Sequence, residues 1–232
     1  NPIDDMEAYR HSLARRADPS ASFIQGVQAR CKELQRRIVF AEGEEPAVVR
    51  AAFSFKNQGL GHPILIGREA QVERAMEQMG IQPGTLEILN ARLSDNNPVY
   101  TDMLYARLQR DGYLKRDAQR LVNQDRNVFG CCMLKNGDAD GMVTGVTRNY
   151  DVALNDSLLV LDPIPGQAII GMSMVINRGR TVFIADTSVT ELPQGEDLAN
   201  IAIEAARGVR SLGFSPRVAF LSYSTFGNPM GE

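Results

Sequence analysis

The chain alternates short apolar runs with segments whose apolar side chains recur at helical spacing. Runs of strand length occur at residues 38–41, 63–67 and 85–89. The segments after the first two, 47–58 and 69–79, carry apolar residues at 3.6-residue intervals and are each followed by a glycine. Because strands that alternate with helices form right-handed βαβ units, this pattern predicts a parallel sheet.

The pattern then becomes more helical. Three further helices are predicted at residues 98–112, 115–124 and 128–137, and a strand is predicted at residues 141–145. The second half differs, because two β-rich runs, 168–177 and 181–189, are separated only by Arg178-Gly179-Arg180, which indicates a hairpin. An amphipathic helix at 196–213 and a buried strand at 217–224 are predicted to follow.

The change of character near Thr147 gives the predicted domain organisation. Residues 1–36 are predicted to be a helical connector, 37–147 a first α/β subdomain and 148–232 a second one. The chain begins without methionine and ends directly after a strand-like segment, and a parallel strand needs a covering helix. We therefore expect a fragment of a longer polypeptide, with the second subdomain incomplete.

Composition excludes several classes of partner. The 232 residues carry 25 Lys and Arg against 28 Asp and Glu, which argues against a nucleic-acid surface or an anionic membrane. No apolar run reaches the roughly 18 residues of a spanning helix, and no signal peptide opens the chain. Cys31, Cys131 and Cys132 lack metal-ligand spacing, so we expect free buried thiols, no metal site and a cytoplasmic location.

The region after the strand at 141–145 raises a question of charge. Small and hydroxyl residues follow this strand, which favours a phosphate-bearing ligand there. Between Asn136 and Asn177, however, Arg148 is the only cation, against five aspartates. A site built for phosphate would be expected to carry more positive charge.

Other loops offer weaker candidates. The loop EGEEP, residues 42–46, lies between a strand and a helix, but its acidic side chains would repel a phosphate. Glu44 and Glu45 are instead predicted to stabilise the helix N-terminus. Hydroxyl-bearing residues also follow two later strands, in the segments 186–188 and 222–225, where small ligands collect.

Several motifs together resemble the phosphate acetyltransferase family. They are RIVFAEGEE, ADGMVTG, TVFIADTSV and the long run from EDLANIAIEAARG to LSYST, in the family's order from Arg37 onward. The resemblance implies a two-subdomain α/β fold with a mostly parallel sheet, in which acetyl-CoA and phosphate meet in the cleft between subdomains. The family's catalytic serine–arginine pair would lie beyond Glu232.

The chain departs from that family at four positions where active members carry cations. These positions hold Leu108, Asp111, Asn155 and Phe226. A charge-assisted hydrogen bond contributes roughly 1.5–3 kcal/mol, so the loss of several predicts little acetyl transfer. No catalytic residue is therefore expected in this segment.

The segment before Arg37, with RNY at 148–150 and the ending SYSTFGNPMGE, resembles hybrid NADP-dependent malic enzymes. The resemblance implies a regulatory domain that binds acetyl-CoA as an effector, contacts the N-terminal malic enzyme region of the same chain and forms a homo-oligomer. The parent would convert malate to pyruvate with NADP and Mg or Mn, held outside this segment. An active phosphate acetyltransferase and a purely structural oligomerisation domain remain the alternatives.

The predicted acetyl-CoA site has two walls. One wall consists of Thr144, Thr147, Arg148, Asn149 and Tyr150. The other consists of Ser222, Ser224, Thr225 and Asn228. Arg148 is expected either to bind a CoA phosphate or the thioester carbonyl, or to pair with Asp151 at the surface.

Overall fold

A computed structural model describes residues 6, 9, 10, 13, 19–177 and 180–221. Of the predicted helical connector before Pro19, only Met6, Tyr9, Arg10 and Leu13 lie among these, and all four are helical. The chain forms two compact units, residues 1–162 and 163–232.

The first unit contains the helices and strands that the sequence predicts, with one addition. Its helices are α1 (Pro19–Leu34), α2 (Pro46–Asn57), α3 (Glu69–Gln78), α4 (Asn97–Leu108), α5 (Lys115–Gln124), α6 (Arg126–Asn136) and α7 (Tyr150–Leu158). Its strands are β1 (Arg37–Phe40), β2 (His62–Ile66), β3 (Glu87–Leu89) and β4 (Gly141–Val143). A 3₁₀ turn, Gln109–Asp111, follows α4. Helix α7 was not predicted.

The four strands form one parallel sheet in the order β3-β2-β1-β4, which confirms the predicted sheet. Val39 of β1 pairs with Ile64 of β2 on one side and Met142 of β4 on the other. The chain therefore runs outward from β1 to β3 and then crosses back to place β4 beside β1. The carboxyl ends of β1 and β4 form a topological switch point, where open α/β sheets bind ligands.

Helices cover both faces of this sheet. Successive strand residues point to opposite faces, so Val39 packs with Tyr100 and Phe129 from α4 and α6, whereas Phe40 packs against α2 and α3. Strands covered on both sides read as continuous apolar runs, which is how the sequence presents them. Cys131 and Cys132 lie free and buried in α6, as predicted, while Cys31 is only half-buried.

The second unit is a two-stranded antiparallel ribbon with one helix. Strands β5 (Met172–Asn177) and β6 (Arg180–Ala185) pair as the sequence predicts, and helix α8 (Gly195–Ser211) packs against β6. The strand predicted at 217–224 is wrong for residues 217–221, which form no strand. Val218, Phe220 and Leu221 are exposed there, because within the described part of the chain no neighbouring strand pairs with them.

The two units divide after Asp162, later than the change of character at Thr147. Helix α7 explains the difference, because it packs against α6 and so belongs with the first unit. Across the described residues, no helix is both long and apolar enough to cross a lipid bilayer.

Candidate functional site

Glu42 lies at the switch point, two residues after β1, and is 2% exposed. Its Oε2 accepts hydrogen bonds from the backbone amides of Gly145 (2.9 Å) and Val146 (2.7 Å). Its Oε1 accepts from the amide (2.6 Å) and the hydroxyl (2.5 Å) of Thr147. One buried carboxylate therefore holds the loop that follows β4.

Two glycines make this arrangement possible. Gly145 has a φ of +114°, a conformation that residues with a side chain rarely adopt. Gly43 passes so close to β2 that a Cβ would lie 2.8 Å from the carbonyl oxygen of Ile66. Both ends of the Glu42 contact are thus fixed by backbone that only glycine accommodates.

The carboxylate of Glu42 is ionised in this environment. Burial alone would raise the pKa of Glu42, but the hydroxyl of Thr147 and the amides of Val146, Thr147 and Gly145 outweigh burial. The pKa of Glu42 therefore lies below its ordinary value of 4.5. At neutral pH the switch point holds a fixed negative charge.

Arg148, in the same loop, is ion-paired with two carboxylates outside the loop. Its Nη1 donates to Asp125 (2.7 Å) and to Asp156 (2.5 Å), and not to Asp151 as one prediction had it. The partners come from the N-cap of α6 and the last turn of α7, which the sequence separates by 31 positions (156 − 125). Burial would lower the pKa of Arg148, but these two carboxylates raise it, so the guanidinium stays charged.

Asn127 connects the same loop to α6. The side chain of Asn127 is buried, donates from Nδ2 to Asp156 (3.0 Å) and accepts the hydroxyl of Thr144 (2.7 Å). Asp125 caps α6 by accepting the amides of Asn127 (2.9 Å) and Val128 (3.1 Å). Sequence reasoning missed this network, although an aspartate just before a predicted helix is a recognised N-cap signal.

The acidic loop at 42–46 holds three glutamates whose side chains make different contacts. Glu42 binds the 145–147 amides, as described above. Glu44 forms a two-pronged ion pair with Arg68, at 2.9 Å from Nε and 3.0 Å from Nη2, and its pKa is lowered. Glu45 is the N-cap residue of α2 but makes no side-chain cap hydrogen bond. The sequence alone did not single out Glu42.

A separate cleft of about 470 Å³ lies between the end of α4 and α7. It is lined by Arg107, Leu108, Asp111, Asn155, Leu158 and Leu159. Leu108, Asp111 and Asn155 therefore lie together in this cleft. They are three of the four positions where active family members are expected to carry cations. The fourth, Phe226, lies outside the described residues.

Arg107 is the one cation that lines this cleft in the described chain, and its guanidinium is already hydrogen-bonded within the protein. Its Nε donates to the carbonyl of Leu159 (2.9 Å) and its Nη1 to Asp162 (2.8 Å). Its Nη2 donates to the carbonyls of Leu158 (3.1 Å) and Leu161 (3.4 Å). Arg107 thus satisfies the C-terminal carbonyls of α7, where a cation is favourable.

The predicted first wall lies between residues 144 and 150, in the loop after β4 and at the start of α7. Thr144, Thr147 and Arg148 make the contacts above, and Asn149 is the N-cap residue of α7, with no side-chain cap bond. Tyr150 begins α7 and is 44% exposed. The predicted second wall, Ser222, Ser224, Thr225 and Asn228, lies outside the described residues.

The loop after β6 is held by its own carboxylate. Asp186 accepts the amides of Gly171 and Thr190 at 2.7 Å each, and those of Ser188 and Val189 at 3.3 Å each. Burial would raise the pKa of Asp186, but these four amides lower it. Of the segment 186–188 predicted to collect a ligand, the side chain of Asp186 is therefore used to hold the loop.

Comparisons with known proteins agree with both the observed fold and the sequence motifs. A profile of the phosphate acetyl/butaryl transferase family matches residues 22–232. The chain belongs to this family. A crystal structure of a phosphotransacetylase from Streptococcus pyogenes superposes with a TM-score of 0.81 at 26% identity, over 92% of this chain and 64% of that one. This confirms the predicted α/β fold.

Relatives of two kinds share this region. An NADP-dependent malic enzyme of Rhizobium meliloti is 52% identical over 100% of this chain, which covers 31% of that protein. A phosphate acetyltransferase of Thermoanaerobacterium thermosaccharolyticum is 29% identical over 91% of this chain and 66% of that protein. The chain thus spans about a third of the malic enzyme, and the resemblance seen in the motifs is confirmed for both kinds.

Proposed function

We propose that these residues form a regulatory domain that binds acetyl-CoA, performs no acetyl transfer and belongs to an NADP-dependent malic enzyme. The supporting observation is the cleft at α4 and α7. Leu108, Asp111 and Asn155 meet there, where active relatives are expected to present cations, and the guanidinium of Arg107 is used by α7.

Phosphate turnover needs positive charge that this cleft does not offer. A phosphate dianion gives up strong hydration when it binds, and charge-assisted hydrogen bonds normally compensate for that loss. Here the exposed carboxylate of Asp111 would repel the anion instead. The region can therefore retain a ligand site while losing the chemistry of the family.

The effector is proposed to contact the loop after β4 through Thr144, Thr147, Arg148, Asn149 and Tyr150. Within the described residues, both ion-pair contacts of Arg148 leave from Nη1. Its Nε and Nη2 are proposed to donate hydrogen bonds to a phosphate or to the thioester carbonyl of the ligand. Ser222, Ser224, Thr225 and Asn228 stay predictions for the second wall.

The remaining parts of the proposal concern the parent protein. We place oxidation of malate to pyruvate, with NADP and Mg or Mn, in the rest of the polypeptide, and this region at its C-terminal end. Within the described residues, no group of three or more His, Cys, Asp or Glu is arranged to hold a metal ion.

A structural role in oligomer assembly is the second candidate. The apolar side chains of Met174, Val175, Val182 and Ile184 on β5 and β6 are exposed, which favours burial against a further protein surface. Light scattering of the full-length protein should show at least a dimer at micromolar concentration. A monomer would remove both the assembly role and the homo-oligomer from the proposal.

An assay of thiol release tests the loss of catalysis. The full-length protein, given acetyl-CoA and phosphate, is expected to release no CoA above background. The double variant Asp111→Lys/Asn155→Arg restores two cations at exposed positions and should gain measurable phosphate binding without gross change in fold. Turnover by the natural protein in the ordinary enzyme range of about 1–1000 per second would establish the active-transferase alternative instead.

A further inference from the structure

The cleft between α4 and α7 has the size and lining of a ligand site, although it lacks the charges that phosphate requires. Its volume of about 470 Å³ falls within the roughly 300–1,000 Å³ of small-molecule sites. Leu108, Leu158 and Leu159 supply apolar surface, while Asp111 and Asn155 supply a carboxylate and an amide. Ligand pockets usually combine a largely apolar lining with a few polar groups that fix orientation, and this cleft has that composition.

The polar groups of the cleft differ in whether they are available to a ligand. The guanidinium of Arg107 donates to the carbonyls at the end of α7 and to Asp162. By contrast, no described residue forms a hydrogen bond or ion pair with the side chains of Asp111 and Asn155, and both residues are exposed. The available groups are therefore a carboxylate, which when ionised only accepts hydrogen bonds, and an amide, which donates and accepts.

We propose that this cleft binds an uncharged aliphatic chain that carries amide N–H groups, and that the pantetheine arm of acetyl-CoA is this chain. The identity of the ligand rests on the proposed function. One amide N–H of the arm donates to Asp111 in a charge-assisted hydrogen bond, Asn155 pairs with a neighbouring amide, and the methylene groups cover the leucines. Positions where active relatives are expected to present cations thus bind a neutral part of the ligand in this chain.

Helix α7 relates this cleft to the loop after β4. Tyr150 begins the helix, and two residues that line the cleft, Asn155 and Leu158, lie five (155 − 150) and eight (158 − 150) residues further on. At 1.5 Å per residue, the separation along the helix axis is roughly 7–12 Å. An extended pantetheine arm spans such a separation, so one molecule of acetyl-CoA reaches both places.

The charges at the two ends of α7 orient the ligand. Arg148 lies just before the helix, and within the described residues both of its ion-pair contacts leave from Nη1. Its Nε and Nη2 can donate to a phosphate, whereas the carboxylate of Asp111 at the other end would repel one. The phosphates therefore lie towards Arg148 and the uncharged arm towards Asp111, which assigns Arg148 to a phosphate rather than to the thioester carbonyl.

Two fragments of the effector separate the two halves of this site. Acetyl-pantetheine contains the uncharged arm without the phosphates, and adenosine 3′,5′-bisphosphate contains phosphates without the arm. In the full-length protein, Asp111→Ala is expected to weaken acetyl-pantetheine binding by about tenfold, the factor for one charge-assisted hydrogen bond. It should not weaken binding of the bisphosphate. Arg148→Gln should give the reverse pattern, and ligand-observed NMR titration measures both dissociation constants.

The matched control is Asp95→Ala, which removes an aspartate that is also exposed but precedes α4 and does not line the cleft. It should change the binding of neither fragment. Asn155→Ala is a second variant within the cleft and should also weaken acetyl-pantetheine alone. Because Asp111 and Asn155 are exposed, both variants are expected to fold, which circular dichroism checks.

Equal affinity of the natural protein and Asp111→Ala for acetyl-pantetheine would overturn the inference, as would weaker binding of the bisphosphate to Asp111→Ala. If the natural protein binds acetyl-CoA but not acetyl-pantetheine, the inference fails and the proposed function stands. If it binds acetyl-pantetheine with the expected response to Asp111→Ala but does not bind acetyl-CoA, the proposed function fails and the cleft remains a site for an amide-bearing chain. Binding of neither compound would overturn both.

Discussion

The two units contain the same two kinds of contact, but the residues that make them are buried to different extents. Each contains an edge-to-face aromatic pair with ring centroids 5.4 Å apart, Tyr100–Phe129 in the first and Phe183–Phe214 in the second. Each also contains a carboxylate that accepts several loop amides, Glu42 in the first and Asp186 in the second. Phe129 and Glu42 are buried, whereas Phe183 and Asp186 are only half-buried.

The comparison teaches that the geometry of a contact does not by itself set its contribution to stability. In the first unit, helices cover both faces of the sheet, so an interaction that is lost cannot be replaced by water. In the second, β5 and β6 remain largely exposed among the described residues, and water can replace the lost partner. The following substitutions are designed in matched pairs to test this difference.

The aromatic pairs should give the largest contrast. Phe129→Ala leaves a cavity in a closed core and should destabilise the first unit by roughly 3–5 kcal/mol. Phe183→Ala removes a ring that is already partly hydrated and should destabilise the second unit by about 1–2 kcal/mol. Denaturant titration followed by peptide-resolved hydrogen exchange reports each unit separately. Equal losses would show that burial does not distinguish the units.

The carboxylates should give the next largest contrast. Glu42→Gln leaves buried amides facing a neutral, partly donating side chain, and should cost roughly 2–4 kcal/mol. Asp186→Asn leaves amides that water can reach and should cost about 1 kcal/mol. The same denaturation experiment measures both. A larger loss from Asp186→Asn would reverse the comparison.

Acid should produce a smaller effect with a defined sign. The folded-state pKa of Glu42 lies below 4.5 and that of Asp186 below 3.8, so each carboxylate stabilises the fold fully at higher pH. This contribution is lost as the pH falls through the lowered values, because the protonated forms no longer bind the amides as strongly. The free energy of unfolding should therefore decline below pH 4.5 less steeply in Glu42→Gln than in the natural protein. Parallel curves for the two proteins would contradict the role assigned to Glu42.

Much of the fold could be predicted from sequence because its signals are local. The apolar runs at 38–41 and 63–67 and the helical spacing of 47–58 reappear as β1, β2 and α2. Strand 217–224 was predicted from the same kind of run and is wrong for residues 217–221, since a strand also requires a neighbour with which to pair. Helix α7 was missed because its nine residues are too few to carry a clear periodic signal.

The candidate site was less predictable because its contacts join distant parts of the chain. Glu42 meets Thr147 across 105 positions, and Arg107 meets Asp162 across 55. Local reading assigned the acidic loop to a helix end and gave Asp151 as the partner of Arg148 in one of two alternatives, the other being a bound ligand. Asp125 and Asp156 became its partners only when α6 and α7 packed together.

Calorimetric titration of acetyl-CoA into the full-length protein tests the central claim most directly. We expect saturable binding with about one site per chain, little affected by added inorganic phosphate because the one cation that lines the cleft at α4 and α7 among the described residues, Arg107, is already used by α7. Strong competition by phosphate would contradict the proposed loss of the family's phosphate site. The absence of any saturable heat, confirmed at a second temperature to exclude a thermoneutral event, would contradict the regulatory function itself.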